Sequence, residues 1–218
     1  MKYIINGGKE EFMFLKSPHI INILKTSGVN NLLIIPFAMS KKRELEDVIF
    51  YSEIHLKNIN ILNLHPSQNK DKIISEISNA DALYFTGGIQ RVLIQLLNDF
   101  GIENIIKELI KKDKIRLIGG SSAGAKILGS KVLVPKDHSL TTIEGLDLIK
   151  NYIIDPHFNK INRKYLLKKL INNLPSNFIG LGIDEYTTIT MNEEYNIIDT
   201  FGEGKVTKII KNQPFTAK

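Results

Sequence analysis

A chain of 218 residues with no cysteine forms no disulfide and offers neither a thiol nucleophile nor a thiolate metal site. Its net charge of +6 rests on lysines scattered among Ile and Asn, with arginine only at Arg43, Arg91, Arg116 and Arg163. Base readout favours arginine, and single-strand binding wants aromatics interleaved with a basic groove, so nucleic acid is not an expected partner. No apolar run approaches the ~18 residues of a membrane span, and the N-terminus turns polar too early for a signal peptide. The expectation is one cytoplasmic α/β domain over residues 1–218, with no membrane partner and a field that attracts acidic substrates.

Taken in order, residues 2–6 read as a short strand closed by Gly7-Gly8. Residues 11–26 carry apolar positions at helical spacing, with Pro18 as a potential kink. Asn31 to Ala38 is a continuous apolar run, the mark of a strand covered on both faces. A charged amphipathic helix is predicted over 41–57, a strand over 59–64 and a helix over 70–79. Asp81 to Phe85 is a fourth strand, ending in Thr86-Gly87-Gly88-Ile89-Gln90. Helices over 89–99 and 102–112 lead into the next strand. Strands alternating with such helices imply βαβ units, hence a mainly parallel sheet between two helical layers. Functional residues then gather beyond the carboxyl ends of the strands.

That next strand (Ile115, Leu117, Ile118) runs into Gly119-Gly120-Ser121-Ser122-Ala123-Gly124, and a helical pattern follows at once. Gly120 to Gly124 fits the G-x-S-x-G nucleophile elbow with Ser122 at its apex. A sharp strand-to-helix turn strains the apex and needs tiny neighbours, while lifting the hydroxyl over the rim of the sheet. Ser121 fits less well, because the residue two places on is Ala123. A phosphate loop is excluded: Ala125 intervenes before Lys126, and Ile127 stands where a hydroxyl is needed. The dinucleotide fingerprint is absent too. A tight turn with no chemistry is the bland reading.

Beyond the elbow, Lys131 to Val134 and Asn151 to Asp155 read as short strands with irregular chain between them. A basic helix is predicted over 160–173. Phe178 to Ile183 reads as an apolar strand delivering Asp184-Glu185, and 187–191, 195–200 and 206–210 as antiparallel strands.

A serine hydroxyl needs a base, and the base needs an orienting group. Of the five histidines, His19 and His55 fall in helical stretches, and His65 follows the third strand. His157 comes at the end of a short strand, where Pro156 fixes the backbone before it; His138 is its competitor. Asp184 or Glu185 is the candidate carboxylate, and since adjacent residues on a strand point to opposite faces, only one is expected to reach the imidazole. The order Ser, His, acid differs from that of an α/β-hydrolase.

Four segments, Phe-Thr-Gly-Gly-Ile-Gln (85–90), Gly-Gly-Ser-Ser-Ala-Gly-Ala (119–125), Asp-Pro-His-Phe (155–158) and Gly-Ile-Asp-Glu (182–185), resemble the peptidase E and cyanophycinase group of serine peptidases. The resemblance implies a fold similar to class I glutamine amidotransferases, a three-layer α/β/α sandwich, with serine replacing the usual cysteine. It assigns Ser122 as nucleophile, His157 as base and Glu185, rather than Asp184, as the orienting acid. It also places Gly88 and the N–H of Ala123 in the oxyanion hole. Peptidase E members cleave dipeptides with an N-terminal aspartate, and Pro-His-Phe is similar to theirs. Cyanophycinases carry Gln where Pro156 stands and several arginines downstream, where only Arg163 remains; Gly-Ile-Asp-Glu is closer to their side.

The reaction so implied is hydrolysis of a short peptide substrate through an acyl-enzyme, with no metal or cofactor. Gln90, Arg91 and Arg163 are candidates for gripping a substrate carboxylate or amide. Two rivals are an acyl hydrolase acting on another amide or ester, including β-aspartyl peptides, and a non-catalytic binding module of the same fold.

Overall fold

The computed structural model describes residues 1–9, 18–35, 58–62, 69–136, 139–160, 163–213 and 216–217. A seven-stranded sheet holds, in spatial order, β11 (Ile197–Gly202), β10 (Thr187–Met191), β1 (Lys2–Asn6), β5 (Leu117–Ser121), β4 (Ala82–Phe85), β2 (Asn31–Ile35) and β3 (Asn58–Ile61). From β1 to β3 every neighbouring pair is parallel; β10 is added antiparallel to β1, and β11 antiparallel to β10.

Side chains alternate across this sheet as a period of two requires. Tyr3, Ile5, Leu33, Ile35, Leu83, Phe85 and Ile118 face one apolar cluster, and Ile4, Leu32, Ile34, Ala82, Tyr84 and Leu117 face another. The first cluster is covered by Ile73 and Ile77 of α2 (Lys70–Asn79), Leu93 and Leu97 of α3 (Gln90–Asp99) and Ile102, Ile106 and Leu109 of α4 (Ile102–Lys111). The second receives Leu24 of α1, described from Pro18 to Thr26. The continuous apolar runs in the sequence therefore reflect strands buried on both faces, each Leu or Ile contributing roughly 1.5–3 kcal/mol of burial. Helix boundaries follow local chemistry: Asn69 caps α2 by accepting from Asp71 N and Lys72 N, and Gly101 makes the α3–α4 corner at φ 69°.

The sequence reading differs from the structure after the elbow. The region expected to be irregular contains a hairpin, β6 (Lys131–Lys136) antiparallel to β7 (Ser139–Glu144). A second sheet then forms in the order β13 (Thr216–Ala217), β12 (Val206–Ile210), β9 (Ile179–Ile183), β8 (Tyr152–Pro156). The strand at 206–210 thus leaves β11 and pairs antiparallel with β9. Strand content was legible; partner choice was not, because pairing depends on which apolar face finds cover. Here Leu167 and Ile171 of α6 (Arg163–Asn172) pack with Ile153 and Ile209. The helix expected over 41–57, and the ends of its neighbours at 10–17, 36–38 and 63–64, lie outside the described residues.

Candidate active site

The elbow forms as anticipated, with the strand extending further. β5 continues through Ser121, which pairs with Asn6, and Ser122 is the hinge residue before α5 (Ala123–Ile127). Ser122 holds φ 50°, ψ −113°, a conformation costly to a side-chain-bearing residue and typical of functional turns. The small neighbours have visible reasons. A Cβ on Gly120 would lie 2.5 Å from the Gly124 carbonyl carbon, and one on Gly124 would strike the carbonyl oxygen of Phe85. Helix α5 thereby descends onto the ends of β4 and β5, and Ala123 becomes its first residue, whose N–H has no partner within the helix.

The other two groups arrive from the second sheet. β8 and β9 are parallel, with Pro156 opposite Ile183, so the residues that follow each strand emerge side by side. His157 and the Asp184–Glu185 pair are those residues. The Ser122 hydroxyl lies 2.8 Å from His157 Nε2, and His157 Nδ1 lies 2.7 Å from Glu185 Oε1. Asp184 turns away, its Oδ2 accepting from Lys205 N at 3.0 Å. Of the two acids, Glu185, the one the resemblance assigns, meets the imidazole. The competitor His138 lies outside the described residues.

The side chain of Glu185 is 11% exposed and that of His157 25%. Burial pushes Glu185 up, but hydrogen bonds from His157 and Lys160 outweigh it and hold the acid below the usual carboxylate range. Burial lowers the His157 pKa against the opposing hydrogen bond from Glu185, and Lys160 and Lys126 add to the lowering. The resting state is therefore a neutral imidazole beside an ionised carboxylate. Glu185 can only accept, so Nδ1 carries the proton and Nε2 faces the serine hydroxyl as acceptor.

The remaining predicted positions divide. Gly88 sits at φ 139° in the turn after β4, beside the elbow on the carboxyl-end rim. Gln90 and Arg91 open α3 on that rim. Arg163, a candidate substrate contact, donates through Nη2 to the fully buried Asp155, and it also reaches the carbonyl of Pro156 at 3.3 Å. Lys126 Nζ lies 3.9 Å from the same carboxylate. A carboxylate deprived of water draws cations toward it, and this one holds both Arg163 and Lys126. Among the described residues, no group of three or more His, Asp or Glu side chains is placed to hold a metal.

In the sequence Gly7-Gly8 marks only the end of a strand. In the structure they form the wedge between the sheets: His157 N donates to Gly7 O at 2.8 Å and Tyr186 N to Gly8 O at 3.1 Å. Their place at the end of a predicted strand is the signal the sequence offers.

The model of peptidase family S51 matches residues 4–198, and the chain belongs to that family; it is a serine-type peptidase with the α/β fold expected. A cyanophycinase of Geminocystis herdmanii is 31% identical over 188 residues, covering 81% of this chain and 68% of that protein. A cyanophycinase of Trichormus variabilis is 26% identical over 72% of this chain, which spans 55% of that protein's length. An uncharacterized peptidase of Listeria innocua is 26% identical, with 74% and 81% covered. Among solved structures, a peptidase from an acI-B1 Actinobacterium superposes with a TM-score of 0.73 at 22% identity, covering 100% of this chain and 93% of that one. A putative peptidase E protein from Listeria monocytogenes gives 0.64 at 18% identity, covering 93% and 98%; at these identities the likeness concerns the fold.

Proposed function

We propose that the chain hydrolyses short peptides, dipeptides with an N-terminal aspartate foremost, through an acyl-enzyme on Ser122. The observation that carries the reading is the unbroken chain from Ser122 Oγ through the His157 ring to Glu185, at 2.8 and 2.7 Å. Ser122 Oγ attacks the scissile carbonyl while Nε2 of His157 takes its proton. The imidazolium that forms is stabilised by Glu185, which also fixes the tautomer and the ring. The N–H groups of Gly88 and Ala123 hold the oxyanion. Collapse of the tetrahedral species breaks the C–N bond, and Nε2 returns its proton to the leaving amine. Water then attacks the ester by the same route, releasing the acid and restoring the serine.

Gln90 and Arg91, on the rim beside Gly88, are the proposed contacts to substrate. A second reading, cyanophycin as substrate, is favoured by the relatives that carry the name cyanophycinase. Pro156 departs from that pattern, and Arg163 is already engaged by Asp155.

The test is a panel of Asp-X, β-Asp-X, Glu-X and neutral dipeptides, with cyanophycin as a further arm, run on wild type and Ser122→Ala. Turnover of Asp-X, lost in Ser122→Ala together with labelling by a fluorophosphonate probe, is the expected result. Full activity in Ser122→Ala ends the reading of Ser122; selective turnover of cyanophycin replaces the substrate.

A further inference from the structure

We propose that Asn6 is a positioning residue for this reaction. Its side chain locks the turn Asn6-Gly7-Gly8, and three successive carbonyl oxygens of that turn hold the backbone at the serine, at the histidine and beside the acid. The proposal rests on the reading of Ser122, His157 and Glu185 as the reacting groups.

The three carbonyls divide the work in chain order. Asn6 O accepts from Ser122 N at 3.2 Å, Gly7 O from His157 N at 2.8 Å, and Gly8 O from Tyr186 N, next to Glu185, at 3.1 Å. Ser122 is delivered by the end of β5 in the large sheet, whereas His157 and Glu185 are delivered by the small one. The separation between nucleophile and base therefore depends on the shape of three residues of β1 and its turn.

Both glycines are required by space. A Cβ on Gly7 would strike the Asp184 carbonyl oxygen, and one on Gly8 would strike the His157 ring. Two glycines in series are also the most pliable backbone available, and Gly8 sits at φ 102°. Something outside their own backbone must fix them.

Asn6 supplies it. Only 1% exposed, it accepts from Gly8 N at 2.7 Å and from Ser121 Oγ at 3.1 Å through Oδ1, and Nδ2 donates to Thr188 Oγ1 at 2.8 Å. Both lone pairs of Oδ1 are thus used, and the amide end is tied to β10. One bond shapes the turn, one fixes it to the residue before the nucleophile, and one anchors it to the strand that follows the acid loop. A buried carboxamide so satisfied has one orientation, and a misplacement of about 1 Å at a reacting centre costs on the order of 100-fold in rate.

The experiment compares Asn6→Ala, Asn6→Asp and Thr188→Val with wild type, each checked for stability in urea. The readouts are kcat and KM on the dipeptide that wild type turns over best, and the rate of fluorophosphonate labelling. Asn6→Ala is expected to lower kcat on the order of 100-fold with KM little changed, and labelling slows in parallel. Asn6→Asp keeps the acceptor for Gly8 N–H and Ser121, and restores most of the kcat. An Asn6→Ala protein with wild-type kcat overturns the proposal, as does a folded Asn6→Asp protein no faster than Asn6→Ala. If Asn6→Ala does not fold, Thr188→Val decides: a lower kcat at unchanged KM supports the proposal, and an unchanged kcat overturns it. Failure of wild type itself to be labelled would instead sink the reading of Ser122.

Discussion

Gly8 lies so close to the imidazole of His157 that a Cβ at that position would come within 2.2 Å of the ring's Cε1. The residue also holds φ 102°, which an alanine adopts only at a cost of about 1–3 kcal/mol. Gly8→Ala should therefore lose activity out of proportion to stability. The ring must move to admit the methyl group, and kcat/KM is expected to fall on the order of 100-fold. Steady-state kinetics beside a urea unfolding curve separate the two effects.

Glu185 and Asp184 adjoin in sequence, but only Glu185 touches the histidine. Glu185→Gln replaces the carboxylate with a neutral amide whose NH2 can donate to Nδ1 and stabilise the wrong tautomer, and kcat should drop on the order of 10³ to 10⁴-fold. Asp184→Asn affects only the turn to Lys205 and should leave kcat near the wild-type value. Equal losses in the two variants would contradict the assignment of Glu185.

The pH profile carries a sign that can be checked. Burial lowers the pKa of His157 below its ordinary 6.5, and the base works only when neutral. The rate kcat/KM should rise with pH through a midpoint below that value. Lys160 and Lys126 both lower this pKa, so Lys160→Met and Lys126→Met should each move the midpoint upward and reduce activity on the acid side. Lys160 is 59% exposed and Lys126 11%, so added salt should diminish the first effect much more than the second.

Arg163→Met should act on stability. Asp155 is fully buried; burial raises its pKa, while Arg163 and then Lys126 pull it down. Without the arginine the carboxylate is left with Lys126 at 3.9 Å, and breaking such a pair costs about 3–5 kcal/mol. The double variant Asp155→Leu/Arg163→Met should recover much of the loss, since an apolar pair needs no compensation. Urea midpoints for both single variants and the double variant test the coupling.

The sequence by itself determined the local parts of this protein. Periodicity marked the strands of the main sheet and the helices of its described faces, because burial on one face or both leaves its imprint on neighbouring residues. The run of tiny residues around Ser122 disclosed the elbow, because a backbone strained to φ 50° tolerates few side chains beside it. Pro156-His157 and Asp184-Glu185 stood out as polar residues ending apolar strands. Only the tertiary structure decided how these parts meet. The second sheet, the crossing of 206–210 to β9, the contact of Glu185 with His157 and the capture of Arg163 by Asp155 all depend on contacts between distant segments. The glycine wedge at Gly7-Gly8 is of the same kind, since its need for empty space comes from the Asp184 carbonyl and the His157 ring. A residue's neighbours in the chain fix its conformation; its neighbours in space fix which of its polar groups are already taken.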